Sequence, residues 1–382
     1  MLRGRGGPPL SEGIGRGTLP QYGRVTKALE GSLGGGGPWI DVQKFDYEGI
    51  DQNLSLEEVP KPSPKEAQIL VRIHAASLNY RDLLVLTSDP VYLGGGPDDG
   101  IVPLGDGAGI VVEVNSPTSR WKVGDKVINA TNSSWKTGQT QGAFDIKLGL
   151  GGKNIDGVLQ QYAVFDEDAL APLPSHLTFE EAAALSGPYV SAWNALFGGP
   201  QQLKRGDTVV IQGTGGVSVA GLQIAVAAGA EVIAFSTSEE KLDLLRKLGA
   251  KHAINYKNNP TWSREILSLT NGRGADQVLD VVGASTIAES LRALRQDGLV
   301  SAIGFMSAPE KHDLIPEIIF GAKTIRGLMY GSLGMLQDLS AFVEKHKIKP
   351  IIAEVFEWND AKLAYKAMLS QGFVGKIVVK VE

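Results

Sequence analysis

Residues 207–236 read DTVVIQGTGGVSVAGLQIAVAAGAEVIAFS, and the fold class follows from them. The run opens with a short, β-branched apolar stretch at 208–211, the composition of a strand buried on both faces. Glycines crowd the following turn at Gly213, Gly215 and Gly216. An Ala- and Val-rich segment, 217–228, then reads as a helix; Gly229 stops it, and 232–235 reads as a second buried strand. Strand, glycine turn, helix and strand within about 30 residues match the size of a dinucleotide half-site. Glycines alone are a weak signal. Glycines between a strand and a helix, with a second strand beyond, are far more specific.

The turn has a physical reading. A pyrophosphate can sit at a helix N-terminus because unpaired N–H groups point at it and the helix dipole favours negative charge. The backbone must come close, so side chains hinder. Gly213, Thr214, Gly215, Gly216 and Val217 are the candidate cofactor contacts here. The fingerprint G-x-G-x-x-G places its third glycine at Ser218, the smallest step beyond Gly or Ala. The plainer alternative is a helix-starting loop that binds nothing, and the surrounding elements weigh against it.

Working outward, strands and helices alternate strictly. A helix at 238–248 lines up Leu242, Leu245 and Leu248, and Gly249 stops it. Strands follow at 253–256, 276–282, 299–305 and 324–330, with helices at 260–270, 286–295 and 314–320 between them. With the first two strands that makes six, the pattern of a doubly wound α/β sheet. A helix at 336–346, a strand at 351–356, a helix at 359–369 and a strand at 376–381 return the chain to an earlier domain.

Upstream, 39–187 is mostly β, with short strands at 68–75, 109–114, 125–129 and 159–165 that suggest a small barrel-like domain. Residues 131–157 form a long polar, Gly-rich loop, read either as a cap over the substrate cleft or as ordinary surface. Helical text begins at Thr178, which with Glu181 makes a capping-box pattern. Residues 1–38 are dominated by Gly and Pro and are expected to be disordered; a cationic organelle presequence is the alternative to a cytoplasmic protein. The expected division is an extension (1–38), a β-rich domain (39–186 and 331–382) and a dinucleotide domain (187–330).

Composition narrows the function. A net charge of −5 gives no electrostatic argument for nucleic acid or an anionic membrane surface. No apolar run approaches the roughly 18 residues of a membrane span. The chain has no cysteine, which excludes disulfides and every Cys-ligated zinc or iron–sulfur site. The five histidines show no H-x-x-x-H or H-E-x-x-H spacing, so no metal is expected.

Several local sequences, in order, now carry a resemblance: AASLNYRDLL (75–84), PLGDGAGIVVEV (103–114), WKVGDKV (121–127), LQQYAV (159–164), EEAAALSGPYVSAWNAL (180–196), GTGGVSVAGLQIA (213–225), KLGAKHAINY (247–256) and FVGKIVV (373–379). From about Ser55 to Glu382 the chain resembles the medium-chain dehydrogenase/reductase superfamily. The resemblance implies a GroES-like catalytic domain around an inserted Rossmann domain, with the active site between them. Zinc-dependent members place a catalytic Cys, then a His–Glu pair, where this chain has Asn79, and Gly105 with Asp106. The four-Cys structural-zinc lobe is absent too. The chain therefore looks like the zinc-free branch of quinone oxidoreductases and enone reductases.

A zinc ion polarises an alcohol or carbonyl oxygen. Without one, an activated C=C or a quinone is the less demanding hydride acceptor, because its charge is delocalised onto an oxygen that hydrogen-bond donors stabilise. The expected partner is thus a small carbonyl, enone or quinone. The alternatives are a metal-free alcohol or ketone oxidoreductase, and a cofactor-binding protein with little turnover. NAD enzymes carry an Asp or Glu at the end of the second strand. Here Ser236, Thr237 and Ser238 stand there, with Lys241 just beyond, so NADP(H) is expected over NAD(H). In the resembled reductases a Tyr after the third strand also contacts the 2′-phosphate, which points to Tyr256.

Among catalytic candidates, Asn79 reads as a donor to the substrate oxygen or the carboxamide, or as a turn residue; Tyr80 reads as a proton donor or a packing aromatic. Arg81 and Asp82 read as a structural pair, and Asp106 as an orienting group. Ser191 and Trp193 lie on the helix expected beneath the cofactor. Val282, Gly283, Gly304 and Phe305 close the fourth and fifth strands at the edge where such sheets bind ligands. Lys376 either reaches a phosphate or lies on the surface. The 324–330 strand is expected to pair with its copy, as in relatives, giving a homodimer.

Overall fold

The computed structural model describes residues 18–23, 47–89, 92, 98, 100–139, 141–257, 259–308, 310–370 and 372–381. The first half runs β1 (Thr18–Gly23), α1 (Tyr47–Asn53), β2 (Ser55–Pro60), β3 (Gln68–Ser77), α2 (Tyr80–Leu86), β4 (Asp106–Asn115), β5 (Lys126–Asn129), β6 (Tyr162–Asp166) and β7 (Leu170–Pro172). Then come α3 (Phe179–Ala183), a π-turn at Leu185–Tyr189, and α4 (Val190–Phe197). Thr178 caps this segment as its pattern predicts: its hydroxyl accepts from Glu181 N at 3.2 Å, and Glu181 returns a carboxylate to Thr178 N at 2.9 Å.

The second half alternates β8 (Thr208–Gln212), α5 (Gly216–Ala227), β9 (Glu231–Ser236), α6 (Glu239–Lys247), β10 (His252–Asn255), α7 (Trp262–Leu269), β11 (Ala275–Asp280), α8 (Ile287–Ala293), β12 (Leu294–Ala302), α9 (Ile315–Gly321) and β13 (Thr324–Gly327). The chain closes with α10 (Leu333–His346), β14 (Ile352–Phe356), α11 (Ala361–Ser370) and β15 (Lys376–Lys380). The fold is α/β, as the sequence predicts.

β8 to β13 form one six-stranded sheet in the order β10-β9-β8-β11-β12-β13. Every pairing in it is parallel. Its central strands β8 and β11 are buried at every residue; β8 carries the apolar centre Val209–Ile211, whereas β11, ADQVLD, also buries Asp276, Gln277 and Asp280. The strand order reverses at β8 and β11, the topological switch point where ligands of such sheets bind. The other sheet has the order β14-β15-β3-β4-β5-β7, with β6 also pairing to β3. Its pairings are antiparallel except β14 with β15, so the last strand is the seam that brings the C-terminus into the first domain.

Three differences from the sequence expectation have physical causes. Thr18–Gly23, expected to be disordered, pairs antiparallel with β2 from Thr18–Pro60 to Gly23–Ser55; the rest of 1–38 lies outside the described residues. α10 starts three residues earlier than its apolar spacing suggests, because the Ser332 hydroxyl caps it by accepting from Met335 N at 3.2 Å. β13 ends at Gly327, before Tyr330, whose left-handed φ of 53° breaks the strand. Among the described residues, no helix is long and apolar enough to cross a membrane.

Candidate functional site: a glycine turn beside a buried polar cluster

The glycine turn is built as its residues require. Gly213 takes φ 75°, a conformation that side chains disfavour, and so turns the chain from β8 into α5. No side chain caps the start of α5, so its first N–H groups remain for a ligand. A Cβ on Gly215 would meet nothing within 4 Å, so this residue is open toward a ligand. A Cβ on Gly216 would lie 2.7 Å from Lys376 Cδ and 3.3 Å from Pro188 Cβ, so this one is glycine for packing. Thr214 is buried, and its carbonyl accepts from Gly375 N at 3.0 Å. Val217 is half-buried against the core.

Ser218 turns back and donates to Gln212 O at 2.7 Å, closing the end of β8. The close helix–sheet approach expected at position 218 is made instead at Gly221, where a Cβ would lie 2.7 Å from Leu279 Cδ2 and 3.1 Å from Ile211 Cδ1.

At the far end of β9, Ser236 is buried and its carbonyl accepts from Tyr256 N at 3.3 Å. The Tyr256 ring meets Phe235 edge-on at 6.3 Å. Lys241 is half-buried on the first turn of α6. The Glu239 carboxylate beside it is turned to Asn255 Nδ2 at 3.0 Å. At the ends of β11 and β12, Val282, Gly283 and Gly304 are half-buried and Phe305 is exposed. Gly283 has φ 100°, and a Cβ on it would lie 3.0 Å from Gly304 O, so these two glycines let the strand ends close on each other.

The second component is assembled from four distant positions. Asn79 precedes α2, and its backbone N–H donates to Asp82 Oδ2 at 2.7 Å. Its side-chain Nδ2 donates to Asp106 Oδ2 at 2.8 Å. Thr131 donates to Asp106 Oδ1 at 2.8 Å. Lys376 donates to Asn79 Oδ1 at 2.6 Å and to Leu78 O, and its Nζ stands 4.0 Å from Asp106 Oδ2. The π-turn explains the glycine opposite: a Cβ on Gly187 would fall 2.5 Å from Asp106 Oδ2.

Burial pushes the Asp106 carboxyl up, opposed first by the Lys376 charge and then by the Asn79 and Thr131 hydrogen bonds. Burial pulls the Lys376 ammonium down to about 8, opposed by Asp106 and Asp82. Asp82 is pushed up to about 6 by burial, against the pull of Arg81.

This geometry bears on two sequence expectations. Lys376 is not at the surface: its stem lies beside Gly216 of the glycine turn, and its amine is buried and donates to Leu78 O and Asn79 Oδ1. Tyr80 takes its packing role: its hydroxyl is enclosed without a partner among the described residues, and the ring packs against the cluster of Leu84, Val85 and Tyr92. Burial, then Asp89, pushes its phenol up to about 12.

Arg81 and Asp82 do pair, at 3.6 Å, but Arg81 also donates to Leu150 O at 2.9 Å and to the Tyr330 hydroxyl at 3.2 Å. It thus ties α2 to the 131–157 loop and to the end of the six-stranded sheet. That loop is folded rather than loose, with an Asn132–Gly149 bridge and Leu333 N donating to Trp135 O at 3.0 Å. Thr131, Gly187 and Tyr330 were not singled out from sequence. Only Tyr330 carried a readable signal, an aromatic just past an apolar strand at the ligand-binding edge of the sheet.

Comparison with known proteins bears on this pairing of a glycine turn with a polar cluster. The family model for the alcohol dehydrogenase GroES-like domain matches 65–175, and that for zinc-binding dehydrogenases matches 216–345. A zinc-type alcohol dehydrogenase-like protein of Schizosaccharomyces pombe is 39% identical over 346 residues, covering 88% of this chain and 97% of that one. The chain belongs to the medium-chain dehydrogenase/reductase superfamily. It is an NAD(P)(H)-dependent oxidoreductase of that superfamily. An acryloyl-coenzyme A reductase of Sulfurisphaera tokodaii is 28% identical over 349 residues, covering 87% of this chain and 98% of that one. A solved NAD-dependent alcohol dehydrogenase superposes with TM-score 0.76 at 30% identity, covering 86% of this chain and 96% of that one. Asn79 and Asp106 lie in the first matched segment, and Gly216 to Phe305 in the second.

Proposed function

We propose that this medium-chain reductase uses NADPH to deliver hydride to an activated C=C of an enone, or to a quinone, without zinc. The observation that carries the reading is the Asn79–Asp106–Lys376 cluster, two of whose members stand at the positions where the sequence resemblance expects zinc ligands. The donor set does not fit zinc, which takes thiolate, imidazole or carboxylate ligands in a tetrahedron. Here the amide oxygen is held by an ammonium, and the carboxylate is saturated by Asn79 and Thr131 with that ammonium alongside. Among the described residues, no three His, Cys, Asp or Glu side chains converge on a point.

An amide donor held in a fixed orientation stabilises charge developing on an oxygen. That suits a reaction in which hydride from the nicotinamide adds to a carbon conjugated with a carbonyl. The electron pair moves onto the oxygen, and a solvent proton then completes the neighbouring carbon. The preference for NADPH rests on Ser236, Thr237 and Ser238 followed by Lys241, with no carboxylate at the strand end and Glu239 turned toward Asn255. Gly213 to Val217 would seat the pyrophosphate, and Val282, Gly283, Gly304 and Phe305 would flank the nicotinamide end. The named activity of the Sulfurisphaera tokodaii relative, reduction of an acryloyl thioester, is of the same chemical class.

The test is a panel of enones, quinones, ketones and alcohols with each nicotinamide cofactor. NADPH-dependent turnover of enones or quinones is the expected result. Turnover of alcohols alone, or NADH favoured tenfold, would refute it. We further read the β13 edge as a homodimer contact. Among the described residues β13 pairs only with β12, and Ile315, Ile319 and Phe320 on the preceding helix are exposed, Phe320 by 85%. Sedimentation as a monomer at every concentration would rule that out.

A further inference from the structure

We propose that Lys376 is a positioning residue: its ammonium and the Asp106 carboxylate together lock the Asn79 amide in the one orientation that presents an N–H to the substrate oxygen. The inference rests on the metal-free reading of the site above. An ammonium has three donors and no acceptor, and an ionised carboxylate only accepts. Asn79 lies between the two, with Oδ1 2.6 Å from Lys376 Nζ and Nδ2 2.8 Å from Asp106 Oδ2. Rotating the amide by half a turn would set its NH2 against the ammonium and its oxygen against the carboxylate. Both hydrogen bonds would be lost and two repulsions gained. The orientation is therefore imposed by charge.

The backbone pivot is also held, because Asn79 N donates to Asp82 Oδ2 at 2.7 Å. Asp106 takes one of the two Nδ2 hydrogens, and the other has no acceptor among the described residues. The same lysine is tied to the cofactor's seat: Gly375 N donates to Thr214 O at 3.0 Å, and the Lys376 stem fills the space a Gly216 side chain would need. One residue thus sets the amide relative to the turn that would hold the pyrophosphate.

The lock depends on the lysine's charge. Asp106 on β4 and Asp82 on α2 are the charges that act on it; the flanking strands β3 and β14 and the helix α11 add none. Burial lowers its titration to about 8, so above that pH the amine becomes neutral and can accept as well as donate. The amine then stops enforcing the orientation, which Asp106 alone continues to favour.

The experiment compares wild type with Lys376→Met. Because the single variant leaves the Asp106 charge buried and uncompensated, Lys376→Met/Asp106→Asn accompanies it. NADPH dissociation constants come from nicotinamide fluorescence, and kcat from the best enone or quinone of the panel. We expect kcat to fall at least thirtyfold in both variants while the NADPH constant stays within twofold. The side-chain amide of Asn79 in asparagine-15N-labelled protein, assigned by its loss in Asn79→Ala, should shift with a midpoint near pH 8 in wild type and lose that titration in Lys376→Met. An unchanged kcat, or a tenfold weaker NADPH constant with kcat preserved, would overturn the proposal; the second result would return the lysine to a phosphate. An Asn79 amide that ignores pH in wild type would overturn it as well. The amide readout needs no turnover, so a wild type inert toward the whole panel would count against the proposed reaction alone.

Discussion

Asp106 and Asp280 are both fully buried carboxylates at strand ends, one opening β4 and the other closing β11, yet they are held in opposite ways. Asp280 is surrounded by neutral donors. Its Oδ1 accepts from Val282 N at 3.1 Å, Gly283 N at 2.9 Å and the Thr286 hydroxyl at 2.9 Å. Its Oδ2 accepts from the Ser290 hydroxyl at 2.7 Å, and Ser290 in turn accepts from Gln212 Nε2 at 2.8 Å. Asp106 has two neutral donors, and then an ammonium at 4.0 Å. Asp280 pins the Gly283 turn and links it to the end of β8, a brace with nothing ionisable in it. Asp106 answers to its neighbours' protonation. The two carboxylates thus differ in their partners: fixed dipoles hold Asp280, whereas the charge on Lys376 bears on Asp106.

The largest effect that could break this contrast is expected in Asp280→Ala. The change strands two backbone N–H groups and two hydroxyls, and each unsatisfied buried donor costs about 1–3 kcal/mol. Some rotate to new partners, so we expect a loss of roughly 4 kcal/mol in urea unfolding. NADPH binding should weaken in parallel, because the turn at Gly283 is no longer held.

Asp106→Asn should behave in the opposite way. The new amide oxygen still accepts from Asn79, and its NH2 donates to the Thr131 hydroxyl, which is free to rotate to Ser186 O at 3.1 Å. Stability should change by less than about 1.5 kcal/mol, while kcat falls about a hundredfold. Losing the carboxylate also removes the main charge that raises the Lys376 titration, so the alkaline limb of the pH profile should move below about 8. Equal destabilisation in Asp106→Asn and Asp280→Ala would erase the distinction.

The same contrast explains how much could be read from the sequence. The glycine turn was legible because backbone geometry demands a residue type: Gly213 at φ 75° and Gly283 at φ 100° have few substitutes. The parallel sheet was legible from its first two strands, β8 and β9, where burial on both faces writes apolar runs. Even there, the packing glycine proved to be Gly221, because the pattern carries spacing and not the direction of neighbouring side chains. The polar cluster was only half legible. Asn79 and Asp106 stand in recognisable stretches, but Thr131 and Lys376 reach them only through tertiary folding. A lysine beginning an apolar strand looks the same in text whether its amine turns to a phosphate or to an amide. Tyr80 stayed open for the same reason: a tyrosine beside a candidate position does not reveal which way its ring packs.

The smallest expected effect belongs to an exposed end of the comparison, Lys241. It is half-buried, and solvent screens its charge in a way that Lys376 does not experience. A 2′-phosphate carries about −1.5 to −2 charge, so one partly solvated lysine contributes modestly to holding it. Lys241→Ala should therefore weaken NADPH about fivefold at low salt and less at high salt, with NADH unchanged and the fold intact. Titrating both cofactors against wild type and variant at two ionic strengths checks this. Equal weakening of the two cofactors would mean that Lys241 props up the end of β9 and does not select a phosphate. A salt-independent loss would mean that its charge is as sheltered as that of Lys376, and the division between screened and buried charges in this site would have to be redrawn.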